Sequence, residues 1–321
     1  MRLFRQRQLG DWQEVFERMA QELERLKIED RGSKIEDRSS IPDPQSSITA
    51  AVPRPCPRAT ICILTYGEYL AFFRRCFDSI LANTPLQEIE LRLGFNNAPH
   101  SFAYARERLG GGTDPVEKMV LSGEVERLSF LGPGGMRVRM WNSPTNLYKE
   151  PMARLLYHDL PLETEYAVWF DDDSFVEAGW WPALNAVLDR KIDYIGQPWW
   201  VDYLPGQVEM IQAQLWYRGV PFEARNNQFA GVHFMTGGFV AVRSERIYQA
   251  NFPDTDFTWK SDTLQQYGGD TLLGEIARQL GWTRQAHDAH IKVNVDMHGR
   301  HPAPRRGGTG RQFGSDIDVV M

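Results

Sequence analysis

The chain has 321 residues, 42% hydrophobic and 12% aromatic, enough apolar material for one large α/β domain with appendages or for two small domains. A formal net charge of -6 argues against nucleic acid as the main partner, because proteins that bind it usually carry a basic face. Three cysteines, Cys56, Cys62 and Cys76, are too few for a disulfide framework and lack zinc-type spacing, which points to a reducing, cytoplasmic setting.

In chain order, Met1 to Gly10 is basic but is followed by no apolar region, and no stretch is long enough to span a bilayer. Neither a standard export signal nor a transmembrane segment is expected. Residues 11 to 28 place Trp12, Val15, Phe16, Met19, Leu23 and Leu26 on one helical stripe, so 1–28 reads as an amphipathic N-terminal helix. Its apolar face suits protein docking, a short coiled coil or a brace on the main domain; its acid-rich polar face makes peripheral-membrane docking the weaker use. The near-duplication KIEDRGS and KIEDRSS, followed by a proline-rich run, buries nothing and marks 29–57 as a flexible linker.

From Arg58 the pattern alternates strand and helix. Ala59 to Thr65 reads as a buried strand, Glu68 to Asn83 as a helix with Tyr69, Phe72, Phe73, Cys76, Phe77 and Ile80 inward, and Glu88 to Phe95 as a second strand. Val125 to Leu131 is a third strand, Asn146 to His158 a helix, and Tyr166 to Phe170 a strand. Tyr194 to Gly196, Gly238 to Arg243 and Ile291 to Met297 supply later strands. The order predicts an α/β fold: an open, mostly parallel sheet flanked by helices, with a ligand crevice at its carboxyl edge.

The strand ending at Phe170 runs into Asp171, Asp172 and Asp173. Clustered carboxylates at that edge offer hard oxygens to a divalent cation, which usually completes its shell with water and substrate phosphate oxygens. A nucleoside diphosphate is the natural client. The bland alternative is an acidic surface turn or a calcium loop.

ATICILTYGEYLAFFRRCFDSILANT, Ala59 to Thr84, resembles the opening strand, turn and first helix of GT-A-fold glycosyltransferases, especially the family-2 type. WFDDDSFV resembles their DxD motif, closest to the DDDxxV form of the fringe-like transferases. TGGFVAVRSERI resembles the glycine-rich strand of that group, and GGDTLLGEIARQLGW its late acidic motif. The resemblance spans Ala59 to about His301 and implies a catalytic domain over 58–301, with 302–321 as a C-terminal tail or lid.

Carried over residue by residue, the resemblance makes Asp171 and Asp173 the ligands of Mn2+ or Mg2+, with His298, or His301 in its place, as a third. Asp172 would meet ribose or sugar hydroxyls, and Thr65 and Tyr66 would lie against the nucleotide, with Gly237 and Gly238 in the glycine-rich strand beside the donor. Asn96 would face the base, at a position where the family-2 pattern has an aspartate pair. Lys149 and Arg154 would bring positive charge near the phosphates. Asp270 is the candidate general base, with Asp262 as its understudy; the same aspartate is also a good helix N-cap. Trp199 or Trp200 offers an indole face to an acceptor sugar, although large aromatics are also core material.

The resulting expectation is a metal-dependent glycosyltransferase that moves a sugar, with inversion, from a nucleotide-sugar donor, expected to be a UDP-sugar, to a hydroxyl of a glycan or other acceptor. Two other classes use similar parts. One is a noncatalytic glycan- or nucleotide-binding module of the same fold. The other is a metal-dependent nucleotidyltransferase or phosphohydrolase, which would want a phosphate-cradling turn after the first strand where this chain has Thr65-Tyr66-Gly67-Glu68.

Overall fold

A computed structural model describes residues 57–110, 117–121, 124–203, 206–225, 229–255, 269–286 and 293–295. The expected N-terminal helix and repeat linker lie outside the described residues, as do Asp262, His298, His301 and the C-terminal tail. The strands are β1 (Ala59–Tyr66), β2 (Ile89–Asn96), β3 (Glu117–Val120), β4 (Glu126–Leu131), β5 (Arg137–Ser143), β6 (Tyr166–Asp171), β7 (Ser174–Val176), β8 (Tyr194–Asp202), β9 (Glu223–Arg225), β10 (Phe229–Arg243), β11 (Arg284–Ala286) and β12 (Val293–Val295). The helices are α1 (Leu70–Asn83), α2 (Pro99–Arg108), α3 (Lys149–His158), α4 (Trp180–Leu188), α5 (Gln207–Gln212), α6 (Ser244–Gln249) and α7 (Gly269–Gln279).

One large sheet runs β11-β8-β10-β6-β1-β2-β5-β4-β3, with β9 paired to β10; β7 and β12 form a separate ribbon. The centre, β5-β2-β1-β6, is parallel, and β10 joins β6 antiparallel. This is the open sheet flanked by helices that the order of apolar runs predicts, its parallel centre continued by antiparallel strands. Its antiparallel flanks close the register on either side of the parallel core.

Strand alternation splits the core into two faces. Ala59, Ile61 and Ile63 of β1 and Tyr166, Val168 and Phe170 of β6 pack with Phe73, Phe77 and Ile80 of α1 and with Trp180, Trp181 and Leu184 of α4. Cys62 and Leu64, together with Ala167 and Trp169, pack on the opposite face against Met152 and Leu156 of α3 and Leu273 and Ile276 of α7. Continuing the period, Asp171 belongs to the face covered by α3 and α7.

Several expectations change in detail. Helix α1 begins at Leu70, with Tyr69 at its N-cap, which leaves Tyr69 and Phe72 only half-buried. Helix α3 begins at Lys149, not Asn146, because Tyr148 takes a left-handed φ of 67° and the Asn146 side-chain oxygen accepts the Tyr148 N–H at 2.9 Å. Helix α2 and strand β5 went unpredicted. The β5 sequence RVRMWNS looks too polar for an inner strand, yet Arg137 and Arg139 turn to the buried Glu90, 3.3 and 3.2 Å away. Strands β8 and β10 are longer than expected because they pair with each other well past the end of β6. Helix α7 lies close on β10: a Cβ on Gly274 would come within 2.5 Å of the Phe234 Cβ.

Candidate active site

The aspartates sit where β6 ends against β1, Asp171 in register with Leu64. The turn is held from several sides. Arg75 of α1 donates to the Asp173 backbone oxygen at 2.9 Å, and Ser174 Oγ donates to the Gly238 backbone oxygen at 2.6 Å. Asp172 is wholly buried and Asp173 nearly so, while the Asp171 side chain is 28% exposed, which makes Asp171 the most accessible carboxylate of the three.

Asp171 meets two groups on the α3–α7 face. The Trp169 indole N–H donates to its Oδ1 at 2.9 Å. Lys149 Nζ, at the first position of α3, lies 3.2 Å from Oδ1 and 3.3 Å from Oδ2. The same ammonium lies 3.4 Å from Asp270, in the first turn of α7. Residues 99 positions apart in sequence therefore meet on one cation. Burial works against that charge, but the Asp171, Asp270 and Glu150 carboxylates outweigh it and raise the Lys149 pKa above the ordinary lysine value.

Glu150 is a site residue the sequence did not reveal. It is buried, its Oε1 accepts the Gly269 N–H at 3.3 Å, and Oε2 has no hydrogen-bond partner among the described residues. Gly269 permits this approach, since a Cβ there would lie 2.7 Å from Oε1. A glutamate in the first turn of a helix reads as ordinary dipole compensation, so no sequence signal marked it out. Burial raises its pKa despite the opposing pull of Lys149. A carboxyl that is harder to ionise folded than unfolded costs stability as pH rises above the ordinary carboxylate range. Replacing it with the neutral Glu150→Gln is expected to flatten that part of the profile, so urea unfolding at pH 5 and pH 8 should show a smaller difference for the variant than for the natural protein.

The donor-side residues are placed as follows. Thr65 is fully buried at the end of β1, and its hydroxyl has no hydrogen-bond partner among the described residues. Tyr66 is half-buried beside it, edge-on to Tyr69 with ring centroids 5.3 Å apart. Gly237 and Gly238 fall in the irregular stretch of β10 between Met235 and Val240, alongside the end of β6. Asn96 is buried, and its amide holds the approach to α3: Nδ2 donates to the Tyr148 oxygen at 3.0 Å and Oδ1 accepts the Leu147 N–H at 3.3 Å. Its observed contacts position Lys149. Arg154 is not brought to the aspartates; its Nη1 donates to the Asn251 and Pro253 backbone oxygens at 3.0 and 3.2 Å.

Trp180 and Trp181 belong to the core. Trp199 is in register with Phe234, and its indole nitrogen is buried with no hydrogen-bond partner among the described residues. Trp200 lies over Gly231, where a Cβ would come within 2.6 Å of the ring, and its N–H donates to Asp202 at 2.8 Å.

Carboxylate oxygens are the donor type a hard divalent cation takes, and the ammonium held at Asp171 shows that positive charge is favoured there. Among the described residues no three His, Cys, Asp or Glu side chains converge into a complete ligand set. A cation held by Asp171 and Asp173 would therefore rely on substrate or solvent oxygens. In that donor-set sense the residues fit.

No family model matches the sequence, and no curated protein matches it. Among solved structures, the chain is similar to the mannosyltransferase PcManGT from Pyrobaculum calidifontis in complex with GDP-Man and Mn2+, at 15% identity and a TM-score of 0.46, over 90% of this chain and 66% of that one. It is also similar to residues 1–349 of S. aureus TarS, at 10% identity and a TM-score of 0.43, over 72% of this chain and 58% of that one. The chain thus spans less than two thirds of the length of either. Both likenesses are too distant to carry a functional argument, which rests on the site itself.

Proposed function

We propose that the protein is a metal-dependent, inverting glycosyltransferase that moves a sugar from a nucleotide-sugar donor, expected to be UDP-linked, to a hydroxyl of a glycan or other acceptor. The observation that carries this reading is the meeting of Asp171, from the end of β6, with Asp270, from the start of α7, on the Lys149 ammonium at the carboxyl edge of the sheet. Open α/β sheets bind ligands at that edge.

Asp171 and Asp173 would hold Mn2+ or Mg2+, with His298 the candidate third ligand. The ion would supply positive charge against that developing on the departing diphosphate. Thr65, Tyr66, Gly237 and Gly238 would border the nucleotide, Lys149 would face the diphosphate, and Asp172 the sugar or ribose. Asp270 takes the proton of the acceptor hydroxyl as that oxygen bonds to the anomeric carbon. The bond from the anomeric carbon to the phosphate oxygen breaks, and its electron pair leaves with the nucleoside diphosphate. The N-terminus of α7 favours a negative charge at Asp270.

Calorimetry with UDP, GDP, CDP and ADP in Mn2+ should show at least one nucleotide binding in a way that EDTA abolishes. A screen of nucleotide sugars should then show Mn2+-dependent hydrolysis that releases an intact nucleoside diphosphate and is lost in Asp270→Asn. Release of pyrophosphate or phosphate would instead identify the nucleotidyltransferase or phosphohydrolase class. Binding with no turnover would identify a binding module.

A further inference from the structure

Lys149 stands at the first position of α3, where the partial positive charge of the helix N-terminus disfavours an ammonium. Something other than the helix holds it there. Its Nζ lies 3.2 Å from Asp171 and 3.4 Å from Asp270, and 5.6 Å from the centroid of the Trp169 ring. The three paired side chains are 31%, 28% and 33% exposed, so solvent and solutes can reach the bridge. A solvent-reachable bridge that sets a cation against the helix dipole calls for a functional account.

We propose that Lys149 is a resident counter-ion, which a divalent cation displaces from Asp171 and which then binds the donor diphosphate. The inference rests on the reading of Asp171 as a metal ligand. A divalent ion bonds carboxylate oxygen at about 2 Å, so one bound to the same oxygens that Lys149 now contacts would be close enough to repel the ammonium strongly. The flexible lysine stem lets the ammonium move, and the nearest new anion would be the diphosphate the metal brings in. Asp171 stays in place through the exchange, because the Trp169 N–H holds its Oδ1 independently of Lys149. The lysine thereby keeps two carboxylates from repelling each other before a metal binds and couples metal loading to donor capture.

The test measures Mn2+ affinity by the electron paramagnetic resonance signal of the free ion, in the natural protein, Lys149→Met and Lys149→Gln. Removing a competing charge at this range is expected to tighten Mn2+ binding about tenfold in both variants. At saturating Mn2+, binding of UDP or GDP by calorimetry should weaken about tenfold, the loss of one charge-assisted contact to phosphate. Unchanged or weaker Mn2+ binding in both variants overturns the inference and leaves the metal reading standing. Undiminished diphosphate binding overturns it as well. Absence of Mn2+ binding in all three proteins overturns the metal reading and the inference together. The glutamine variant keeps a polar side chain of similar length, so the comparison survives if the methionine variant folds poorly.

Discussion

Asp171→Asn is expected to weaken Mn2+-dependent nucleotide binding about a hundredfold and to cut donor hydrolysis by about 10²–10³, the scale seen when one preorganised electrostatic group is removed. The substitution keeps the shape of the side chain and removes the charge. Its effect on stability should be small, because the ion pair it breaks is partly exposed and such pairs contribute about 0–1 kcal/mol. The Trp169 N–H can still reach an amide oxygen at the Oδ1 position, so the turn should keep its course. Calorimetry and urea unfolding on the same preparation separate the two effects. A variant that binds nucleotide normally but unfolds much more easily would show Asp171 to be a structural residue.

Arg92→Met should do the reverse, destabilising the domain by about 3–5 kcal/mol, the scale for removing one partner of a buried ion pair. The Arg92 side chain is fully buried. Its Nε donates to Glu90 at 2.7 Å, Nη1 to the Leu156 and Leu160 oxygens at 2.6 and 2.8 Å, and Nη2 to the Pro161 oxygen at 2.7 Å. One guanidinium thus ties β2 to the C-terminal end of α3, whose other end presents Lys149. Methionine replaces the apolar stem but leaves three carbonyls and a carboxylate oxygen without this donor. Lysine should rescue little, because a single ammonium does not reproduce the planar fork. Urea unfolding midpoints check this; a loss below about 1 kcal/mol, the range of an exposed pair, would show that the buried network does not stabilise the domain.

Much of the architecture was legible in the sequence because burial on both faces writes long apolar runs. ATICILT and YAVWF read as inner strands without tertiary information, and the aspartates following the second run marked an edge. What stayed hidden depended on partners remote in sequence. Strand β5 looked too polar because its arginines answer Glu90 on another strand. The extensions of β8 and β10 carry no strand signal of their own because each is completed by the other. The Asn96 amide holds the 147–148 turn and Arg154 donates to the 251–253 segment, contacts that no local pattern marks.

The same division runs through the site. The sequence by itself determined that a carboxylate cluster ends an inner strand and that an acidic residue opens a late helix, since both follow from local apolar patterning. Only the tertiary structure decided that the Asp171 side of the strand is the one covered by α3 and α7, that Lys149 joins Asp171 to Asp270, and that Glu150 lies buried against the start of α7. The physical reason is that patterning records which side of an element is buried, whereas charge pairing depends on which elements the sheet order brings together.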